Sequence, residues 1–276
     1  MMSKRITAGK IVLESISVCL ALLFLTPVIW SLAVSLKTEG TPIHNAFNWF
    51  LPPYTLSNYP SVIFGSKVPF WLFNSVFVAV ISTLLVLLLS SMAAYAVAKL
   101  DFPGKNILYL FFLIGMIVPG EATIVPLFIT ANGLNLIDSY AGLISPTIAG
   151  SMNFIIMVTF FKGIPNELIE AAKIDGSGDF GIYFRMILPL SKTVLVTVGI
   201  FAFMGSWNNY LWPLLCATSD TMFTLPVGIP TFAGTYTVDY VKPMTANMVA
   251  SIPAIIIYLI FEKRIVKGVA LSGIKG

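Results

Sequence analysis

Histidine, cysteine and charged side chains are scarce in this chain of 276 residues. The single histidine, His44, excludes HExxH and other histidine-rich metal motifs. The two cysteines, Cys19 and Cys216, both lie in apolar runs, which is typical of small packing residues. No GxxxxGK[ST] loop is present, so we expect no ATP hydrolysis by the chain itself. Without paired carboxylates or a Ser/His/Asp set, the sequence also disfavours a membrane enzyme.

The low charge content indicates a membrane protein, since 57% of the residues are hydrophobic and only 10% are charged. A spanning helix needs about 20 apolar residues. Charge-poor stretches of that length predict six spans, at 15–36, 70–91, 107–130, 141–161, 193–216 and 243–261. Neither an internal repeat nor a long linker is visible. The sequence therefore predicts one all-α, polytopic membrane domain over residues 1–276.

The distribution of lysine and arginine predicts the orientation of the spans. With the N-terminus inside, thirteen of the 16 basic residues fall in cytoplasmic segments. Only Lys37, Lys67 and Lys242 fall outside. Both termini and the segment 162–192 are then cytoplasmic. Residues 217–242, which are rich in proline, glycine and threonine, are predicted to form an external loop.

The longest polar interruption, Ile164 to Pro189, is patterned as two short helices joined at a glycine. Pro165 suits a first helical turn, and Gly176 suits the left-handed residue after a helix. A second helix can begin at Ser177 or Asp179. The predicted apolar face of the first helix carries Leu168, Ala171, Ala172 and Asp175, and that of the second carries Phe180, Phe184, Ile187 and Leu188. The pattern alone favours an amphipathic hairpin on the membrane surface.

The same segment resembles the EAA loop of ABC-importer permeases. The resemblance is carried by Glu170-Ala171-Ala172, then Asp175-Gly176, then Ile187-Leu188-Pro189. In that family the loop forms a coupling helix that sits in a cleft of a separate ATP-hydrolysing subunit. The resemblance therefore implies that Glu170, Ala171, Ala172, Asp175 and Gly176 couple this chain to an ATPase.

Further stretches extend the resemblance over residues 70–276, toward the sugar-importer branch and the smaller permease of the maltose transporter. They are Asn74-Ser75, Ala93-Ala94-Tyr95-Ala96, Phe102-Pro103-Gly104-Lys105, Pro119-Gly120-Glu121, Trp207-Asn208-Asn209, Trp212-Pro213 and the ending Gly273-Ile274-Lys275-Gly276. The implied fold is that of a type I ABC-importer permease. The implied partners are a second permease, two ATPase subunits that carry ATP and Mg²⁺, an external binding protein and a carbohydrate.

The resemblance also implies a place for the chain and for its tail. It indicates the cell membrane of a bacterium or archaeon, with lipid around the spans and no nucleic acid or cofactor on this chain. Sugar-branch tails insert between the ATPase subunits. That contact is implied here for Leu271, Gly273, Ile274, Lys275 and Gly276. The loop 217–242 is expected to reach toward the binding protein.

Four polar residues in or beside the spans are candidates for a translocation path. Glu121 is the one ionisable residue inside a predicted span, where a carboxylate is costly unless it faces water or a partner. It can equally belong to a capped kink at Pro119-Gly120. Asn153, Asn208 and Asn209 suit either a path for a hydroxylated solute or bonds between helices. Trp207, Tyr210 and Trp212 are interface anchors or sugar-stacking groups.

Two other functions stay open from the sequence alone. The first is the same kind of importer for a phosphate ester or a short peptide. The second is a secondary transporter, a class that often shows repeated halves and buried ion-binding carboxylates. One membrane carboxylate and the absence of a repeat disfavour the second alternative.

Overall fold

The computed structural model describes residues 8–41, 45–232 and 239–273, and within these all side chains except 8, 11, 46, 47 and 261–273. Every regular element of the described residues is helical, which confirms the all-α prediction. The helices are α1 (Ala8–Ser35), α2 (Ala46–Trp49), α3 (Asn58–Gly65), α4 (Val68–Lys99), α5 (Lys105–Gly115), α6 (Gly120–Gly133), α7 (Tyr140–Ile148), α8 (Ser151–Lys162), α9 (Asn166–Ile174), α10 (Asp179–Ile182), α11 (Leu188–Leu190), α12 (Lys192–Trp207), α13 (Leu211–Cys216), α14 (Leu225–Gly228) and α15 (Val241–Gly273). A π-helical turn, Tyr183–Ile187, joins α10 to α11, and a 3₁₀ turn, Ile229–Phe232, follows α14.

Several helices are long and apolar enough to be candidate membrane spans. Three single helices among the described residues can cross a membrane, over Val12–Ser35, Val68–Lys99 and Val241–Ile260. Three bent pairs can each supply one more span by length and composition: α5 with α6 at 106°, α7 with α8 at 43°, and α10–α11 with α12 at 81°. The last pair covers 179–207 and so differs from the predicted span 193–216, because it includes part of the segment predicted to be cytoplasmic. A count of six is therefore consistent with the structure.

The breaks inside the bent spans follow residues that interrupt a helix. Pro119 precedes α6 with an extended backbone (ψ 136°), so the helix restarts at Gly120. The predicted span 193–216 is likewise divided, since α12 ends at Trp207 and α13 begins at Leu211. Asn208 caps this end by donating its Nδ2 to the Met204 carbonyl at 3.0 Å. An apolar composition alone does not predict this break, because it depends on a side-chain amide that binds a backbone carbonyl of the last helical turn.

The chain divides into two compact units, one drawn from Met1–Val68 and Ile229–Ile252 and the other from Pro69–Gly228 and Pro253–Gly276. In the first unit, the buried Asn58 donates to the carbonyls of Ser35 at 2.8 Å and Lys37 at 2.7 Å. Lys37 is itself fully buried and donates to the Leu51 carbonyl, with Nζ 4.3 Å from the centre of the Tyr54 ring. Burial lowers the pKa of the Lys37 ammonium.

The second unit holds two apolar clusters. The larger one unites the last turns of α4 with α8, α9, the π-helical turn and α12. Its buried members include Tyr95, Phe154, Ile169, Ile187 and Val198. The smaller one joins α4, α6, α7 and α13 around Val78, Leu143 and Trp212. The polar segment 164–189 is thus packed into a protein core on one side, which a hairpin lying only on lipid would not be.

Candidate functional site

The segment carrying the Glu170 motif is built on helix α9 and a complete Schellman turn. The amide of Gly176 donates to the Lys173 carbonyl at 3.0 Å, and the amide of Ser177 donates to the Ala172 carbonyl at 2.9 Å. Gly176 has φ +81°, the left-handed conformation predicted for it. The first helix and its glycine stop thus occur as predicted, with Pro165 as the cap residue one position before the helix.

The buried face of α9 is narrower than predicted. Ile169 and Ala172 are buried in the larger apolar cluster. Leu168 and Ile174 are instead exposed, Ile174 by 86% of its surface. Of the motif residues, Glu170, Ala171, Asp175 and Gly176 are exposed and only Ala172 faces the core. The periodicity had placed Leu168, Ala171 and Asp175 on the same apolar face as Ala172, which the structure corrects.

The second helix begins at Asp179, one of its two predicted starts, with Gly178 as its cap residue. Its inward face is Ile182, Tyr183 and Ile187. The prediction that Phe180 and Phe184 lie inward is wrong, because they are 70% and 52% exposed. The π-helical turn Tyr183–Ile187 has a wider repeat than the α-helical period on which that prediction rested.

Two lysine side chains bind the ends of this segment through hydrogen bonds and one ion pair. Lys99, at the end of α4, donates to the Ile164 carbonyl at 2.5 Å and to Asn166 Oδ1 at 2.7 Å. Lys173 Nζ lies 3.5 Å from Asp179 Oδ1, so this lysine bridges the two short helices. The segment therefore presents a fixed surface, with α4 behind it.

A second polar cluster, which we name the Asp138 platform, consists of Trp71, Asn74, Ser75 and Asp138 with the segment 218–225 that they bind. Asn74 Nδ2 donates to the carbonyls of Thr221 at 2.7 Å and Phe223 at 2.9 Å. Ser75 Oγ accepts from the Leu225 amide at 2.8 Å, and Trp71 Nε1 donates to the Asp220 carbonyl at 2.9 Å. The start of α4 thus fixes the first part of the predicted external loop.

Asp138 is the electrostatic centre of this platform. Its Oδ1 accepts from the Ser219 amide at 2.9 Å, the Thr218 amide at 2.9 Å and the Ser219 hydroxyl at 3.0 Å. The Ser219 amide, together with that hydroxyl and Thr218, holds the pKa of the Asp138 carboxyl below its ordinary value. Sequence reasoning missed Asp138 and gave Asn74-Ser75 no structural role. The sequence features that could have indicated these roles are the amide of Asn74 near the start of a predicted span and the carboxylate of Asp138 in a turn between two spans.

Part of the predicted external loop, within the described residues 217–232, is helical. Residues 225–232 form α14 and the 3₁₀ turn, with Leu225, Val227 and Ile229 buried. The sequence predicted a loop here because prolines and glycines are typical of loops. The helical elements between them are only four residues long, which is too short to give a periodic pattern. Thr224 is also buried, whereas residues 233–238 lie outside the described residues.

The four candidate path residues are not drawn together by direct bonds among the described residues. Glu121 lies exposed in the first turn of α6, directly after the break at Pro119. This position suits a carboxylate at a helix start. Asn153 and Asn209 are half-buried, and Asn208 is exposed. Trp212 donates its Nε1 to the Gly142 carbonyl at 2.9 Å and is buried, so its ring is not free to stack on a solute.

The tail is described only in part. The backbone of Leu271 to Gly273 continues α15, whereas Ile274, Lys275 and Gly276 lie outside the described residues. His44 lies outside them as well. Within the described residues, no group of three or more His, Cys, Asp or Glu side chains is arranged to hold a metal ion.

Comparison with known proteins gives a family match over residues 87–270, to the binding-protein-dependent transport system inner membrane component. The arabinooligosaccharides transport system permease protein AraQ of Bacillus subtilis (strain 168) is 36% identical over 277 residues, 99% of each chain. The sulfoquinovosyl glycerol transport system permease protein SmoH of Agrobacterium fabrum is 35% identical over 254 residues, covering 91% of this chain and 89% of the relative. A bacterial ABC transporter that imports the acidic polysaccharide alginate contains a chain of the same fold, with TM-score 0.83, 21% identity and coverage of 95% and 98%.

Proposed function

This chain belongs to the family of binding-protein-dependent transport system inner membrane components, and on that premise we propose that it forms half of the membrane path for a sugar or oligosaccharide. The observation that carries the sugar assignment is the 36% identity to an arabinooligosaccharide permease over 99% of both chains. Family membership sets the secondary-transporter alternative aside. An importer for a non-sugar solute remains as the competing proposal.

The outward face of α9 is the proposed contact with the ATPase subunit. Glu170, Ala171 and Ile174 lie exposed there, and the small Ala171 lets a partner surface approach the helix closely. The apolar Ile174, 86% exposed, supplies surface that gains free energy when a partner covers it. We propose that ATP and Mg²⁺ reside on that partner; this sequence contains no phosphate loop of its own, which supports the proposal.

The buried face of α9 is proposed to couple the ATPase contact to the membrane helices. Ile169 and Ala172 share a close-packed cluster with Tyr95 of α4, Phe154 of α8 and Val198 of α12. Such an interior transmits displacement rather than absorbing it. A push on α9 by the ATPase would therefore move the membrane helices packed behind it, and Lys99 adds a polar tie to α4.

The proposed orientation places this segment and both chain ends in the cytoplasm, because basic residues are concentrated on that side. The Asp138 platform then lies outside, where it holds the segment that leads to residues 233–238. We propose that this outer region receives the solute-binding protein. Leu271, Gly273, Ile274, Lys275 and Gly276 are proposed to reach the ATPase subunits. Glu121, Asn153, Asn208 and Asn209 are proposed to line the path.

The test is to purify the chain with its co-expressed subunits and binding protein, and to measure ATPase activity against a panel of solutes. We expect arabinooligosaccharides or another saccharide to raise the ATPase rate, while short peptides and phosphate esters leave it unchanged. Stimulation by a peptide or a phosphate ester alone would replace the sugar assignment. An assembled complex whose ATPase responds to no solute and supports no uptake would contradict the permease assignment itself.

A further inference from the structure

A pocket of about 260 Å³ lies between the last turns of α4 and the start of α10. Its walls are formed on one side by Met92, Tyr95, Ala96 and Leu100, at the end of α4. On the other side they are formed by Asp179 and Phe180 of α10 and by Tyr183 of the π-helical turn. We name it the Tyr95 pocket. It does not involve the exposed motif residues of α9, so the proposed ATPase contact leaves it unexplained.

The pocket combines an apolar interior with an incomplete set of polar partners. Tyr95 is only 5% exposed, and its hydroxyl is buried with no hydrogen-bond partner among the described residues. An unsatisfied buried hydroxyl costs free energy that a bound acceptor would recover. The neighbouring Tyr183 is satisfied, since its hydroxyl lies 2.6 Å from Ser91 Oγ. Tyr95 is thus the polar group in this wall that a ligand could complete.

Asp179 is the charged residue in the pocket wall, and Lys173 of α9 lies beside it. Asp179 lines the pocket, and its Oδ1 lies 3.5 Å from Lys173 Nζ, with both side chains 51% exposed. Each charge therefore keeps part of its surface for a ligand. A zwitterion with an ammonium and a phosphate matches this pair, the ammonium at Asp179 and the phosphate at Lys173.

Both helices that form the pocket carry exposed apolar residues, which in this proposal face the bilayer. Leu88 lies one helical turn before Met92 on α4 and is 45% exposed. On the other side, Phe180 is 70% exposed, as is typical of aromatic residues that lie at a membrane interface. An acyl chain can thus follow Leu88 and Met92 into the pocket while its headgroup stays at the rim.

We propose that the Tyr95 pocket binds a zwitterionic phospholipid that carries a primary ammonium, such as phosphatidylethanolamine. Its ammonium pairs with Asp179, its phosphate with Lys173, and an ester oxygen accepts from the Tyr95 hydroxyl. The lipid lies between α4 and the helix that follows α9, so it stabilises the packing behind the proposed coupling surface. The inference concerns lipid binding and does not depend on the transported solute.

The test is native mass spectrometry of the purified complex after exposure to equal amounts of phosphatidylethanolamine and phosphatidylglycerol with identical acyl chains. We expect the complex to retain phosphatidylethanolamine in preference. Asp179→Asn should lower that preference roughly two- to fivefold, the range of a partly exposed ion pair. Tyr95→Phe should lower retention of both lipids roughly two- to tenfold, because both offer an ester oxygen. Asp101→Asn and Tyr210→Phe, which remove a like group elsewhere, should change neither value.

A second measurement needs no variant. Phosphatidylethanolamine with a photoreactive group on its acyl chain should label the peptide 88–100 in native membranes, and unlabelled phosphatidylethanolamine should compete. Equal retention of the two lipids, an unchanged preference in Asp179→Asn, or no labelling of 88–100 would each overturn the proposal. The last result would indicate that a partner subunit fills the pocket instead.

Discussion

Substitutions at Gly176 test whether the turn after α9 must be left-handed for coupling. The residue has φ +81°, and a Cβ added there meets nothing within 4 Å in this chain. Any penalty within the chain therefore comes from backbone strain and not from a clash. A non-glycine residue in this conformation costs roughly 1–2 kcal/mol, and a β-branched residue costs more.

The magnitude predicts an order among substitutions. Asparagine adopts the left-handed region readily, so Gly176→Asn should retain most coupling. Gly176→Ala should lower the population of the native turn roughly 5- to 30-fold relative to competing turns, and Gly176→Val should lower it further. Gly178→Ala is the matched control, because Gly178 has φ −74° and also has open space at its Cβ position.

The assay is solute uptake per ATP hydrolysed, measured in proteoliposomes at equal amounts of assembled complex. We expect Gly178→Ala and Gly176→Asn to match the unmodified chain and Gly176→Val to hydrolyse ATP with little uptake. Normal coupling by Gly176→Val would refute the reasoning. So would an equal loss in Gly178→Ala, since that substitution introduces no positive-φ strain.

Three further outcomes are expected. Asp138→Ala should cost roughly 1–3 kcal/mol of stability in thermal unfolding, because three donors lose their charged acceptor, whereas Asp138→Asn keeps an acceptor and tolerates the residue's φ of +57°. Since the folded-state pKa of Asp138 is depressed, its carboxylate stabilises the fold above the unfolded pKa of about 3.9. That stabilisation should vanish as the pH falls through the folded-state pKa of Asp138, and Asp138→Asn should lack this pH dependence of stability. If the unmodified chain and Asp138→Asn lost stability identically as the pH falls, the assignment of this stabilisation to Asp138 would be wrong. Deleting Leu271 to Gly276 should leave membrane insertion intact but reduce co-purification of the ATPase, and full recovery of the ATPase and of uptake would remove the tail from the proposed contact.

The sequence was most informative where a local rule governs the structure. Gly176 needs a left-handed conformation, and the Schellman turn around it follows from that need. Apolar length likewise predicted a count of six spans that is consistent with the structure, because a helix in lipid needs about 20 apolar residues. The breaks at Pro119 and Asn208 were harder to place, since a bend depends on which backbone groups find new partners.

Long-range contacts account for what the sequence could not predict. Helical periodicity assumed a single repeat and correctly placed Ile187 inward, but the π-helical turn also brings Tyr183 inward and leaves Phe184 exposed. The Asp138 platform joins residues about 80 positions apart, and Asn74 reaches residues nearly 150 positions away. No pattern within one segment encodes such pairs. The Tyr95 hydroxyl, one of the buried polar atoms without a hydrogen-bond partner among the described residues, likewise became visible only with α10 packed beside it.

The central claim is that the exposed face of α9 meets a separate ATPase subunit on the cytoplasmic side. A photocrosslinking amino acid at Ile174, which is 86% exposed, tests it directly in membranes that contain the whole complex. The same amino acid at Leu134, 63% exposed in the turn after α6, is the control for the opposite side. We predict capture of the ATPase subunit from Ile174 and none from Leu134. Capture from Leu134, or none from Ile174 in an assembled complex, would contradict both the coupling surface and the orientation.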